Sequence, residues 1–316
     1  MAANLSTLNL DDLAFNMQQE YSSVVYRNDG LFLGLFQAGG LRSGESFRFP
    51  IKVSGNGSAT TYSEGAALGV AGNGTTVTAV VPWSYFRCIV NVTGHARDAT
   101  RGNPAAEAAI ADEFADATKA LIALNATTFM ADSAVGVLGL VDDTSTNLHG
   151  LSRTTYAGLV SHVEPGGSAA LTLAMMQNTY EALRDNSRGA VPTLIIGPVN
   201  QVTNYINVAP QQAGGGTTPI NVNVWNLDGS RAIDLGANWN AIKFNGIPFL
   251  GIPDMVDTEI VFLNTRPSAW EFVMNREITL EQYAKVDDSE TFVVSNACAL
   301  ACKQPHIQGK IEALTA

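Results

Sequence analysis

The side chains best equipped for chemistry in this chain stand in incomplete sets. Cys298 and Cys302 are spaced C-x-x-x-C, which would put both thiols on one face of a helix, and His306 follows four residues later. Three ligands of this kind leave one position of a tetrahedral zinc site open, so buried structural thiols are the better reading. Asp142-Asp143, Asp254 with Asp257, and Asp287-Asp288 are oxygen pairs of the kind that hold Ca2+. None has EF-hand spacing, and turn chemistry accounts for each. Gly166-Gly167-Ser168, with His162 nearby, lacks the G-x-S-x-G elbow of a serine hydrolase, and Ser168 reads instead as the cap of a following helix. Gly214-Gly215-Gly216 belongs to neither a GxGxxG nor a GxxxxGK[ST] sequence, so no phosphate cradle is expected. His95, His149, His162 and His306 are scattered among loops and strand ends. The expectation is a chain with no catalytic, cofactor-binding or metal-ligating set.

Such residues would have to be positioned by a body of 316 residues, 46% hydrophobic, enough for one large or two smaller domains. Eighteen Lys and Arg against 29 Asp and Glu give a net charge of -11, and the basic residues do not cluster. That balance excludes a protein that grips nucleic acid through its phosphates. No apolar run approaches the roughly 20 residues of a membrane span. The opening MAANLSTLNLDDLAF has neither a basic nor a continuous apolar region, so no secretion signal is expected. Three cysteines, an odd number in a long chain, fit a reducing compartment.

Residues 1 to 43 combine a short helix through Gln19, capped by Asn9 or Asp11-Asp12, with an apolar run from Leu31 to Phe36. They read either as an arm or as a helix and strand folded onto the core. From Glu45 to Thr93 the pattern is β: Phe47, Phe49 and Ile51 alternate with polar neighbours, and Thr75 to Val81 returns as a second strand. The Gly- and Ser-rich stretch between them cannot form a core alone, so the whole is a long hairpin that needs a partner surface, or a surface loop. Residues 103 to 132 form the strongest helix, with Asn103 as N-cap, Pro104 at the first position and Glu107 in the first turn. Ile110, Phe114, Ala117, Leu121, Leu124 and Thr128 give it one apolar stripe along roughly 40 Å.

Helix Ser168 to Asp185, strand Val191 to Ile196 closed by Gly197-Pro198, and helix Val199 to Val208 make an α/β layer. Ala209 to Thr218 is a flexible surface loop. Asn240 to Val273 is an extended β platform: Asn245-Gly246 is a tight hairpin turn, and Pro248 and Pro253 suit edge strands or strand starts. Thr258 to Leu263 and Trp270 to Met274 are further strands.

This order of elements, with the turn sequence FNGIPFLGIPDM before a long β ribbon, resembles the major capsid proteins of tailed double-stranded DNA phages, the Hong Kong 97 fold. The resemblance covers nearly the whole chain. It implies an α+β fold with an N-terminal arm (1–43), an extended β-hairpin loop (44–80), a peripheral domain with a long spine helix (81–134 and 256–290) and an α/β axial domain (135–255 and 291–316). It implies no enzyme, but subunits that self-assemble as hexamers and pentamers into an icosahedral shell, made in the host cytoplasm and carried in the virion. Such a shell encloses double-stranded DNA without sequence-specific binding. A separate scaffolding protein, a portal and a decoration protein are the implied partners, with no membrane. Phe47, Phe49, Tyr62 and Glu64 in the hairpin, and Trp270 and Phe272 in the platform, are the intersubunit candidates. Lys52, the lone lysine of the hairpin, lies at its base and argues against self-crosslinking. The alternatives are an encapsulin-like nanocompartment shell and an α/β enzyme with an unrecognised site.

Overall fold

A computed structural model describes residues 38–61, 63–64, 72–94, 104–143, 147–186, 191–208, 242–252, 255–266, 268–283 and 289–315. The expected helix through Gln19, the Asn103 cap, Tyr62 and the loop 209–218 lie outside these residues. The described chain runs β1 (Ala38–Leu41), β2 (Ser46–Lys52), β3 (Thr76–Pro82), β4 (Ser84–Thr93), α1 (Pro104–Met130), α2 (Val137–Leu140), β5 (Asn147–Leu148) and β6 (Leu151–Ser152). It continues through β7 (His162–Ala169), α3 (Leu173–Asn186), β8 (Leu194–Gly197), α4 (Val199–Val208), β9 (Ile242–Phe244), β10 (Ile247–Gly251), β11 (Ile260–Leu263), β12 (Trp270–Gln282), β13 (Ser289–Cys302) and β14 (Gly309–Leu314).

Two sheets carry the architecture. The first has the order β1-β12-β13-β4 and is built on the long antiparallel ribbon of β12 and β13. Helix α1 lies across β4 and β13, as its stripe requires. Phe114 meets Phe292 edge-on at 5.2 Å, and Phe129 sits against Phe86 at 5.8 Å and Phe272 at 5.7 Å. The stripe differs from expectation at Leu124, which is 49% exposed. A straight helix drifts about 20° per heptad from a four-three repeat, so toward the C-terminal end of the helix the buried face has moved on to Phe129 and Met130.

The second sheet is mixed, with order β7-β14-β11-β8-β10-β9. Ile195, Phe249, Ile260, Phe262 and Ile311 face α3 and α4, in one core with Met176, Leu183 and Tyr205. Leu194, Ile196, Leu250, Val261 and Leu263 face the other way, into the core that holds Trp270 and Phe272. Burial on both faces explains why these strands read as unbroken apolar runs. The β platform is thus divided: β9, β10 and β11 belong to the second sheet and β12 to the first. Asn245 (φ 48°) and Gly246 (φ 84°) form the expected two-residue turn. Pro248 fits as a strand start, since β10 is an inner strand whose pairing with β8 begins at Phe249.

Helix α3 begins at Leu173, not Ser168. Gly167 (φ 60°) and Ser168 (φ 61°) are left-handed at the end of β7, and a side chain at Gly166 would come within 2.7 Å of the Glu312 carbonyl. Thr172 Oγ1 accepts from the Met175 N–H (3.3 Å) in the capping role assigned to Ser168. The Ser168 carbonyl instead accepts from the Thr315 hydroxyl at 2.8 Å. Within 1–43, residues 38–41 form an edge strand paired parallel to β12, which ties that part of the segment to the body.

Candidate functional site

Strand alternation decides what the β2–β3 hairpin can touch. Phe49 and Ile51 on β2, and Ala79 and Val81 on β3, point into the core, while Arg48, Pro50, Lys52, Thr78, Val80 and Pro82 point out. The ladder runs from Ser46↔Pro82 to Lys52↔Thr76. It continues through Val53 N–H to the Thr75 carbonyl (2.9 Å) and Thr75 N–H to Ser54 Oγ (2.9 Å). Residues 54–61 and 63–64 beyond it are exposed.

The base of the hairpin is held by His149. His149 and Gly150 form a two-residue turn between β5 and β6 with φ 49° and 80°. The His149 carbonyl accepts from Val80 N–H (3.1 Å), its ring meets Phe49 edge-on at 5.8 Å, and its Nε2 accepts from Cys302 N–H (3.0 Å). This buried imidazole therefore links the hairpin to the long ribbon and is held in its neutral form. Burial and the nearby Arg153 guanidinium lower its pKa to about 4.

Arg153, 1% exposed, donates from Nη2 to the carbonyls of Leu140 (2.7 Å) and Gly139 (3.3 Å), and from Nη1 to Asp143 (3.2 Å). It thus satisfies carbonyls at the end of α2. Asp142 is not simply a turn residue: Lys310 Nζ, almost wholly buried, lies 3.2 Å from it and 3.2 Å from Glu312. Burial pulls Lys310 down, but Glu259, Asp142 and Glu312 outweigh it and hold its pKa above the usual value. Glu259 is 9% exposed and pushed up to about 6 by burial, and its Oε2 has no hydrogen-bond partner. Sequence reasoning did not find Arg153, Lys310 or Glu259. Their partners come from strands far apart in the chain, and no local spacing marks them.

Where β1, the hairpin base and β12 meet, a cleft of about 470 Å³ is lined by Arg42, Arg48, Phe49, Trp83, Glu271 and Lys303, among others. Lys303 pairs with Glu271 and stands 5.8 Å over the Phe49 ring. Arg42 is 3.9 Å from the same carboxylate, and Arg48 donates to Ser46 Oγ at 3.2 Å. Trp83 Nε1 and Asn275 Nδ2 both donate to the Gly44 carbonyl, at 2.9 and 3.0 Å, fixing the bend between β1 and β2. The cleft thus gathers three cations around one carboxylate. Its residues hold charge and include no nucleophile paired with a base.

The five described candidates from the sequence separate in space. Trp270 (0% exposed) and Phe272 (4%) lie inside the core of the chain, as does Phe49, and Phe47 packs on its edge. Glu64 is exposed. Cys298 and Cys302 are buried on strand β13, with thiols pushed up to about 12 by burial. Among the described residues no group of three or more His, Cys, Asp or Glu is placed to hold a metal ion, and no helix is long and apolar enough to cross a membrane.

No protein-family model matches this chain, and no curated protein matches it by sequence. Solved structures do. The capsid asymmetric unit of cyanophage A-1(L) superposes with a TM-score of 0.67 at 16% identity, over 90% of this chain and 93% of that one. The capsid of the native GTA particle gives 0.58 at 12% identity, over 90% and 89%. The holo-SrpI encapsulin complex of Synechococcus elongatus gives 0.54 at 11%, over 90% and 87%. The chain has the Hong Kong 97-like α+β fold of phage capsid proteins.

Proposed function

We propose that this chain is the major capsid protein of a tailed double-stranded DNA phage, many copies of which close into an icosahedral shell. One observation carries the reading: the likeness to capsid subunits spans about nine-tenths of both chains, so it is a likeness of nearly the whole chain and not of a shared core alone. The role is geometric. Weak contacts repeated over hexamers and pentamers sum to a stable closed surface. The four-part division into arm, extended loop, peripheral domain and axial domain belongs to this reading, as do a scaffolding protein, a portal and a decoration protein as partners. A chain of net charge -11 suits a wall that encloses DNA without gripping it. Assembly in the host cytoplasm and residence in the virion follow from the same reading.

The encapsulin likeness supports a second reading, a nanocompartment that encloses protein cargo. Light scattering on the protein expressed alone and with neighbouring virion genes tests the shell. Large monodisperse particles are expected, and a small species under both conditions contradicts it. Nucleic acid or protein inside the particles separates the two readings.

A further inference from the structure

We propose that the Arg42–Arg48–Lys303 cleft receives Glu64 from a second copy of this chain, an inference that rests on the shell reading. The first support is a charge imbalance. Glu271 is shared by Lys303 and Arg42, and among the described residues Arg48 has no carboxylate partner, only Ser46 Oγ. The cleft therefore has positive charge to spare. The second support is the composition of the hairpin: from residue 53 to residue 86 Glu64 is the sole charged residue. It stands on an excursion whose described residues 54–61 and 63–64 are exposed and otherwise uncharged, with no ion pair to it among the described residues. A lone charge in such a segment has little solubility role to share with neighbours, whereas a lone carboxylate placed among guanidinium and ammonium groups fixes register and orientation.

The donor is another copy because the geometry separates the two halves within one subunit. Arg48 lies at the hairpin base, and the ladder carries the chain away from it to Lys52↔Thr76. Glu64 lies twelve residues beyond Lys52, is not among the cleft's lining residues, and makes no contact with Arg42, Arg48 or Lys303 of its own chain among the described residues. An acid at one end of an element and its receptor at the other make a heterologous, head-to-tail contact, the kind that closes into rings.

The first test compares the concentration at which wild type, E64K and the exchanged double variant R48E/E64R assemble, by light scattering. E64K is expected to raise that concentration about tenfold or more, the double variant to recover most of the loss, and all three to keep the wild-type melting temperature. The second test mixes E64C subunits with R48C subunits under a mild oxidant, and a disulfide-linked dimer is expected only in the mixture. If wild type assembles while E64K assembles equally well, or if the mixture gives no linked dimer, the inference is overturned and the shell reading stands. If wild type itself forms no assembled species, the shell reading falls and this inference falls with it.

Discussion

The second sheet and the β2–β3 hairpin are built from similar residues to opposite ends. In the sheet, Leu194 to Gly197 and Ile260 to Leu263 are buried on both faces, with α3 and α4 on one side and the main core on the other. In the hairpin, Phe49, Ile51, Ala79 and Val81 are buried on one face only, and Pro50, Thr78 and Val80 look outward. Period-two alternation at the hairpin base and unbroken apolar runs in the sheet record this difference directly. Stability therefore resides in the sheets, and the outward hairpin face adds little to it. Substitutions should divide the same way, those in the body acting on unfolding and those on the hairpin acting on assembly.

The largest effect is expected at Trp270, fully buried between the ribbon and the main core. Trp270→Ala should cost about 3–5 kcal/mol, read as a lower urea midpoint at unchanged slope. Arg153→Met should cost about 3 kcal/mol, because three backbone carbonyls and Asp142 lose a buried cation. Equal stability for either variant would break the assignment of stability to the body.

His149 gives the body a pH dependence of definite sign. Its folded pKa, about 4, lies below its unfolded value of 6.5, so the unfolded chain binds more protons between these limits. Stability is full above about pH 6.5 and should fall as pH drops toward 4, by about 3 kcal/mol from this residue. Glu259 acts oppositely. Its folded pKa of about 6 exceeds the reference 4.5, so its ionised form costs stability above pH 6 and the cost vanishes below 4.5. Glu259→Gln should raise stability at pH 8 by about 2 kcal/mol and leave it unchanged at pH 4. Lys310 keeps Asp142 and Glu312 as partners in that variant. Chemical denaturation at a series of pH values checks both. The smallest effect is on the hairpin's outer face, where Val80→Ser should alter stability by no more than about 0.5 kcal/mol. A larger loss there would show that this face is part of the folded body.

Where local chemistry decides, the sequence was legible. Asn245-Gly246 is a turn because both positions need positive φ, and α1 is a helix because its apolar stripe and Pro104 agree. Where tertiary placement decides, it was not. His149-Gly150 makes an equivalent turn without the usual Asn, supported by the contacts of His149 to Val80, Phe49 and Cys302. The start of α3 moved from Ser168 to Leu173 because β7 runs on to Ala169, paired with β14 at Pro165 and again at Ala169 across an irregularity at Gly166–Ser168. The buried charges at Arg153, Glu259 and Lys310, and the cleft of Arg42, Arg48 and Lys303, are assembled from distant segments with no spacing to betray them.

We propose that many copies of this chain close into a shell. Electron microscopy of the purified protein, alone and with the neighbouring virion proteins co-expressed, tests it most directly. Closed particles, or rings of about five and six subunits, are the predicted result. A field of single subunits under both conditions would contradict it.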